Sequence, residues 1–166
     1  MNRSIGLPLT LIALCACAAG PAWGQTSAEK MGQNAADMKF STFPALPGCA
    51  VGSVVNGDPD KGPSIIYAKT ATGCVIPWHW HTPSEHLMIV KGVARLEMQG
   101  GAAPLTLRAG GYAMTPAKHV HRLRCKSSCE FYVYSDGAFD IHYVDAQGKE
   151  LTPDEALKRS GQPKKD

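Results

Sequence analysis

His79 and His81 lie two residues apart in Cys74-Val75-Ile76-Pro77-Trp78-His79-Trp80-His81, a stretch of apolar and aromatic residues. Side chains of an extended strand alternate between faces, so residues i and i+2 project to the same side and both imidazoles can reach one ion. Thr82-Pro83-Ser84 breaks that strand, and Glu85 opens the next apolar run, Leu87-Met88-Ile89-Val90, where a tight connection returns its carboxylate to the same ion. Two histidines and one carboxylate are the usual minimum for a divalent transition metal with open positions. A further candidate ligand is His121, which starts the run Arg122-Leu123-Arg124-Cys125 after the turn at Pro116. His119 shares its parity and is expected beside the ion or at the mouth of the site, as an acid, a base or a substrate contact. His86 has the opposite parity from Glu85 and reads as non-ligating, while His142 alternates within Phe139-Asp140-Ile141-His142-Tyr143 and reads as a strand residue. Trp78 and Trp80 oppose His79 and are expected to pack between sheets or at an interface.

Such ligands need strands to carry them. Candidate strands run over 38–43, 49–56, 64–71, 74–81, 86–90, 93–98, 105–107, 112–115, 120–125, 130–134 and 139–144. They are short, rich in Val, Ile, Tyr and Phe, and divided by Asn56-Gly57-Asp58-Pro59, Thr72-Gly73, Lys91-Gly92, Gly100-Gly101, Gly110-Gly111 and Asp136-Gly137. Even spacing of this kind predicts an all-β sandwich or barrel. Strand parity places Ile66, Ala68, Ile76, Met88, Leu96, Met114 and Phe131 along a mostly apolar interior. Near the end, Thr152-Pro153-Asp154-Glu155 combines an N-cap, a proline at the first helical position and a capping-box glutamate, which predicts a short helix from Pro153 to about Arg159.

The chain has 166 residues, 44% of them apolar, with 17 Lys and Arg against 14 Asp and Glu. That is enough for one domain with a full core, and a net charge of +3 without a basic cluster argues against nucleic acid or a membrane surface as partner. Residues 1–24 read as a signal peptide: Arg3 precedes an apolar run from Ile5 to Ala19, and Ala22-Trp23-Gly24 forms a small-x-small cleavage site. The expected divisions are the signal peptide at 1–24, a flexible arm at 25–37, a barrel domain at 38–150 and a short helix and tail at 151–166. Export to the periplasm or exterior leaves Cys49, Cys74, Cys125 and Cys129 in an oxidising compartment, where three pairings are allowed. Cys125 and Cys129 suit the ends of a hairpin loop, which would leave Cys49 with Cys74; the competing reading keeps Cys125 as a thiol near the metal.

The pattern Gly73, His79, His81, Glu85 and Gly92 resembles the first motif of the cupin superfamily at every named position. In the second motif Gly110, Pro116 and His121 match, whereas Lys118 stands where the family has glycine and Cys125 where it has asparagine. Over residues 40–145 the resemblance implies a double-stranded β-helix, or jelly-roll barrel, with His79, His81, Glu85 and His121 binding one ion inside. It also implies, together with the edge of the strands within 38–56, a homodimer.

The ion is one divalent transition metal (iron, manganese, nickel, copper or zinc), because these ligands alone do not choose among them. A redox-active ion implies dioxygenase-type oxidoreductase chemistry on a small, partly apolar molecule, with Glu85 also moving a proton and His119 or Lys118 orienting the substrate. Zinc or nickel implies Lewis-acid isomerase or lyase chemistry, and a non-catalytic metal- or ligand-binding module would carry the same residues. Expression of the full chain in a bacterial host with a periplasm should yield a product that starts at Gln25 on N-terminal sequencing; a cytoplasmic product that retains residues 1–24 would refute the targeting assignment.

Overall fold

The computed structural model describes residues 32–101 and 103–162. The signal peptide at 1–24, most of the arm at 25–37 and the end of the tail at 163–166 lie outside the described residues. The strands are β1 (Ala50–Gly57), β2 (Ser64–Thr70), β3 (Val75–Trp80), β4 (Glu85–Lys91), β5 (Val93–Met98), β6 (Leu105–Arg108), β7 (Tyr112–Thr115), β8 (His121–Cys125), β9 (Cys129–Ser135), β10 (His142–Val144) and β11 (Glu150–Leu151). They form a five-stranded sheet in the order β1-β2-β9-β4-β7 and a six-stranded sheet in the order β11-β10-β3-β8-β5-β6. From β2 to β5 and again from β6 to β10 the chain passes between the two sheets at every connection, which is the winding of a double-stranded β-helix.

The period-two pattern drives this packing. In β9, Cys129, Phe131, Val133 and Ser135 are buried and the residues between them are not. Ile66, Ile76, Leu87, Leu96, Leu123 and Phe131 join one core between the sheets. Full burial of each such side chain contributes about 2 kcal/mol. A disulfide between Cys49 and Cys74, with Cα atoms 5.7 Å apart, ties the start of β1 to the approach of β3. The helix α1 (Pro153–Arg159) has the expected cap: the Thr152 hydroxyl accepts from the Glu155 N–H, and the Glu155 carboxylate accepts from the Thr152 N–H. Its Ala156 and Leu157 are buried in the core.

Three expectations are corrected. Among the described residues, 38–43 form no strand and pair with β1 through a single bridge, Ser41 to Gly52, against which the Phe43 ring also packs. Phe40 instead packs on the outer Tyr67 while Phe43 turns inward, so the segment wraps an edge rather than extending it. The strand expected at 139–144 starts only at His142, leaving 139–141 as loop. Cys125 and Cys129 are both free and buried. They do not close a hairpin, because β8 and β9 belong to opposite sheets and residues 126–128 cross between them. Thr70 Oγ1 donates to Cys125 Sγ at 3.0 Å, and burial pushes the Cys125 thiol up to about 12.

The β4–β5 turn depends on Gly92, whose φ is +88° and whose missing Cβ would lie 2.1 Å from the Ser128 carbonyl oxygen. Gly110 has φ +82° but open space around it. Gly110→Ala should therefore cost about 1 kcal/mol of backbone strain. Gly92→Ala adds a clash with backbone and should cost about 3 kcal/mol or more. Denaturant unfolding of the two variants checks this, and equal losses would contradict the close approach.

Candidate metal centre

β3 carries His79 inward, and the aromatic residues on either side hold its outer face. Arg122 lies 4.6 Å over the Trp78 ring, and Trp80 stacks on His142 with centroids 3.9 Å apart and planes 6° from parallel. The register of β3 on β8 shifts between Ile76 and His79. Proline is tolerated in strands at such irregularities, and here the shift at Pro77 allows both Ile76 and His79 to line the interior despite their opposite parity. His81 follows the end of β3, Glu85 is the first residue of β4, and His121 is the first of β8 and pairs with His79. All four side chains are buried, with exposures of 3% for His79, 2% for His81, 7% for Glu85 and 1% for His121.

The backbone decides which nitrogen faces inward. His79 Nδ1 donates to the Pro77 carbonyl at 2.6 Å, His121 Nδ1 to the His119 carbonyl at 2.8 Å, and His81 Nδ1 to the Asp140 carbonyl. A carbonyl cannot donate, so each Nδ1 carries the proton and each Nε2 presents a lone pair. The ligand atoms of the three imidazoles lie within 4.8 Å of one another. Glu85 joins them, with Oε2 3.3 Å from His121 Nε2 and Oε1 3.6 Å from His81 Nε2. Neither of these Nε2 atoms has a hydrogen-bond partner among the described residues. Acceptors thus face acceptors in a buried space, an arrangement that a cation between them makes favourable. Three neutral imidazoles and one carboxylate fit a single divalent transition metal.

Burial pushes the pKa of His79 well below 6.5, reinforced by the charges of His121 and His81. Burial likewise lowers His81, against the opposing pull of Glu85. For Glu85, burial acts upward, but the nearby His81 and His121 outweigh it and hold the carboxyl below its ordinary value. These shifts favour neutral His79 and His81 rings and an ionised Glu85, the states in which such groups bind a metal.

The site opens into a cavity of about 320 Å³. Phe43, Ile66, Ile76, Leu123, Phe131 and Phe139 supply much of its apolar wall; besides the four candidate ligands, its polar lining is Thr70 and Asp140. Ala68 lines it as expected, and Leu96 is in the core but outside the cavity lining. Met88 and Met114 point outward, with exposures of 36% and 43%, because Glu85 sets the parity of β4 and Met114 pairs with His86 rather than with an inward residue.

The structure does not bring the His119 side chain to the centre. Its ring Nε2 bonds to the Gln99 carbonyl at 3.0 Å, and it is absent from the cavity lining; its own carbonyl, however, orients His121. Lys118 is exposed and outside the lining as well, and its N–H donates to the His81 carbonyl at 2.8 Å. Its φ of +60° explains why a glycine suits this position. His86 lies outside, bonded to the Tyr112 hydroxyl at 2.8 Å, and His142 pairs with Asp140 at 3.3 Å. Sequence reasoning missed Asp140 and Phe139, whose ring sits 4.6 Å from that of His81. Both are in a loop, where no periodicity marks the inward residue. Thr115, with Oγ1 3.4 Å from Glu85 Oε2, was missed as well, because the parity that placed Met114 inward turned Thr115 to the other face.

Because His79 rejects a proton in the folded state that the unfolded chain accepts near pH 6.5, its contribution to stability is present above that pH and lost as pH falls below it. Metal-stripped protein should melt at progressively lower temperature from about pH 7.5 to pH 5.5, and His79→Gln should flatten the slope. An equal slope in both proteins would contradict a buried neutral His79.

A family model described as "Cupin domain" matches residues 67–135, a span that holds all four candidate ligands. The chain is 32% identical over 79 residues to the DNA damage-repair/toleration protein DRT102 of Arabidopsis thaliana, covering 48% of this chain and only 26% of that protein. The polyketide cyclase RemF of Streptomyces resistomycificus superposes with a TM-score of 0.62 at 15% identity, over 77% of this chain and 91% of that one. An acetylacetone dioxygenase from Acinetobacter johnsonii superposes with a TM-score of 0.57 at 18% identity, over 82% of this chain and 91% of that one. At these identities the two solved structures speak for the fold. Motif spacing, barrel winding and the domain match agree on a cupin domain over residues 67–135 of this chain.

Proposed function

We propose that the chain is an exported, mononuclear metal-dependent oxidoreductase of dioxygenase type that acts on a small, partly apolar molecule. The observation that carries this reading is the set of inward Nε2 lone pairs and the Glu85 carboxylate at the base of an apolar cavity. His79, His81, His121 and Glu85 would hold the ion. When redox-active, such an ion supplies a place where a chelating enolate or catecholate and oxygen meet. Glu85 is placed to take the proton that an acidic enol or catechol loses on binding, since its carboxylate is ionised and buried beside the ligands. The apolar wall excludes water and favours an uncharged or singly charged molecule over one rich in phosphate. Phe43 and Phe139, from the segments flanking the barrel, set the size of what enters. His119 acts through its carbonyl, which keeps His121 turned inward. The fold shared with an acetylacetone dioxygenase makes β-diketones the first compounds to try.

Protein purified without chelator should contain close to one redox-active metal per chain by mass spectrometry and consume oxygen when given a diketone, an enol or a catechol. His81→Ala should lose most of that metal; undiminished content would refute the ligand assignment. Stoichiometric zinc without oxygen uptake would redirect the assignment to Lewis-acid chemistry or to a non-catalytic binding module.

A further inference from the structure

A second concavity, of about 420 Å³, lies on the opposite side of the six-stranded sheet from the metal centre, between its outer face and α1. Arg122 and Arg124 of β8 and Arg159 of α1 line it together with Trp78, Pro77 and Val144. The three guanidiniums are unequally satisfied. Arg122 pairs with Glu97 at 2.7 Å and rests on Trp78, so its charge is used within the sheet. Arg124 makes no ion pair within 4.0 Å among the described residues, and it stands directly across the β5–β8 ladder from Arg95, which shares the Glu97 carboxylate with Arg122 at 3.4 Å. Like charges facing across a ladder repel. Arg159 acts on Glu155 one helical turn away without forming a close ion pair among the described residues. The carboxylate that lines the groove, Asp145, is committed to its own turn, where Oδ1 accepts from the N–H groups of Gln147 and Lys149.

We infer that this groove binds a small organic phosphate monoester. A phosphate monoester carries close to two negative charges at neutral pH and three acceptor oxygens, matching the forks of Arg124 and Arg159. Binding would give Arg124 the counter-charge that Arg95 and Arg122 already find in Glu97. Pro77, Val144 and the exposed part of Trp78 offer an apolar surface for the ester's organic part. The groove differs from the metal cavity in its chemistry as well as its place: three guanidiniums and the Asp145 carboxylate line the one, and buried imidazoles with the Glu85 and Asp140 carboxylates line the other. The inference does not rest on the oxidoreductase assignment.

The test is calorimetric titration of the purified, metal-containing protein with phenyl phosphate at low ionic strength, beside phenol and inorganic phosphate. Phenyl phosphate should bind one per chain and inorganic phosphate more weakly, and phenol should not compete with phenyl phosphate. Arg124→Gln and Arg159→Gln should each weaken phenyl phosphate about tenfold or more, since each removes a charged donor. His81→Ala should leave that affinity unchanged. In the unsubstituted protein, the indole N–H resonance of Trp78 should shift on titration, a readout that does not depend on how well a variant folds. Absence of binding, binding that survives both arginine substitutions, loss of binding in His81→Ala, or an unmoved Trp78 resonance would each overturn the site. Equal affinity for inorganic and phenyl phosphate would overturn the assignment to an ester.

Discussion

Three backbone carbonyls decide the chemistry of this barrel. By accepting from Nδ1 of His79, His81 and His121, the carbonyls of Pro77, Asp140 and His119 leave each Nε2 with a lone pair turned toward the same buried point. Glu85 adds two more acceptor oxygens. Without a positive charge among them, these groups would be costly neighbours, because burial removes the water that would otherwise solvate them. The rest of the molecule is arranged around keeping that cluster rigid and dry.

Rigidity comes from the other face of the same strands. Arg122 on Trp78 and Trp80 on His142 anchor the outside of β3, so its histidine cannot rotate outward without breaking aromatic contacts. The turn through Lys118 and His119 serves two ligands at once, one through an N–H on the His81 carbonyl and one through a carbonyl on His121. Dryness comes from the apolar wall, to which Phe131 contributes from β9 and Phe43 and Phe139 from segments outside the strands. Ligand geometry thus belongs to the sheet framework together with the Lys118–His119 turn and the Asp140 carbonyl, while Phe43 and Phe139 line the cavity from segments outside the strands.

The two faces of the six-stranded sheet present different groups, imidazoles and apolar side chains inward and guanidiniums outward. Inward residues of β8, His121 and Leu123, serve the metal cavity, and the outward Arg122 and Arg124 line the groove beneath α1. Alternation along one five-residue strand therefore separates a site for a cation from a surface suited to an anion.

Much of this was legible in the sequence, because parity and motif spacing are local. His79, His81 and Glu85 were placed by strand alternation and one short connection; ten of the eleven observed strands and the Thr152 cap followed from turn residues and β-rich runs. The two-residue β11 was too short to carry a period. Tertiary structure alone decided which loop residues meet the ligands: Asp140 reaches His81 from 59 positions away, and no periodicity announces it. It also decided the cysteines, since a three-residue connection looks like a hairpin until its strands prove to lie in different sheets. His119 had the right parity, but the turn before β8 rotates its side chain to the Gln99 carbonyl. The sequence by itself determined the ligand types and the barrel that carries them, through repeats a few residues long; the orientation of each ring and the bonding of each thiol depended on contacts between distant segments.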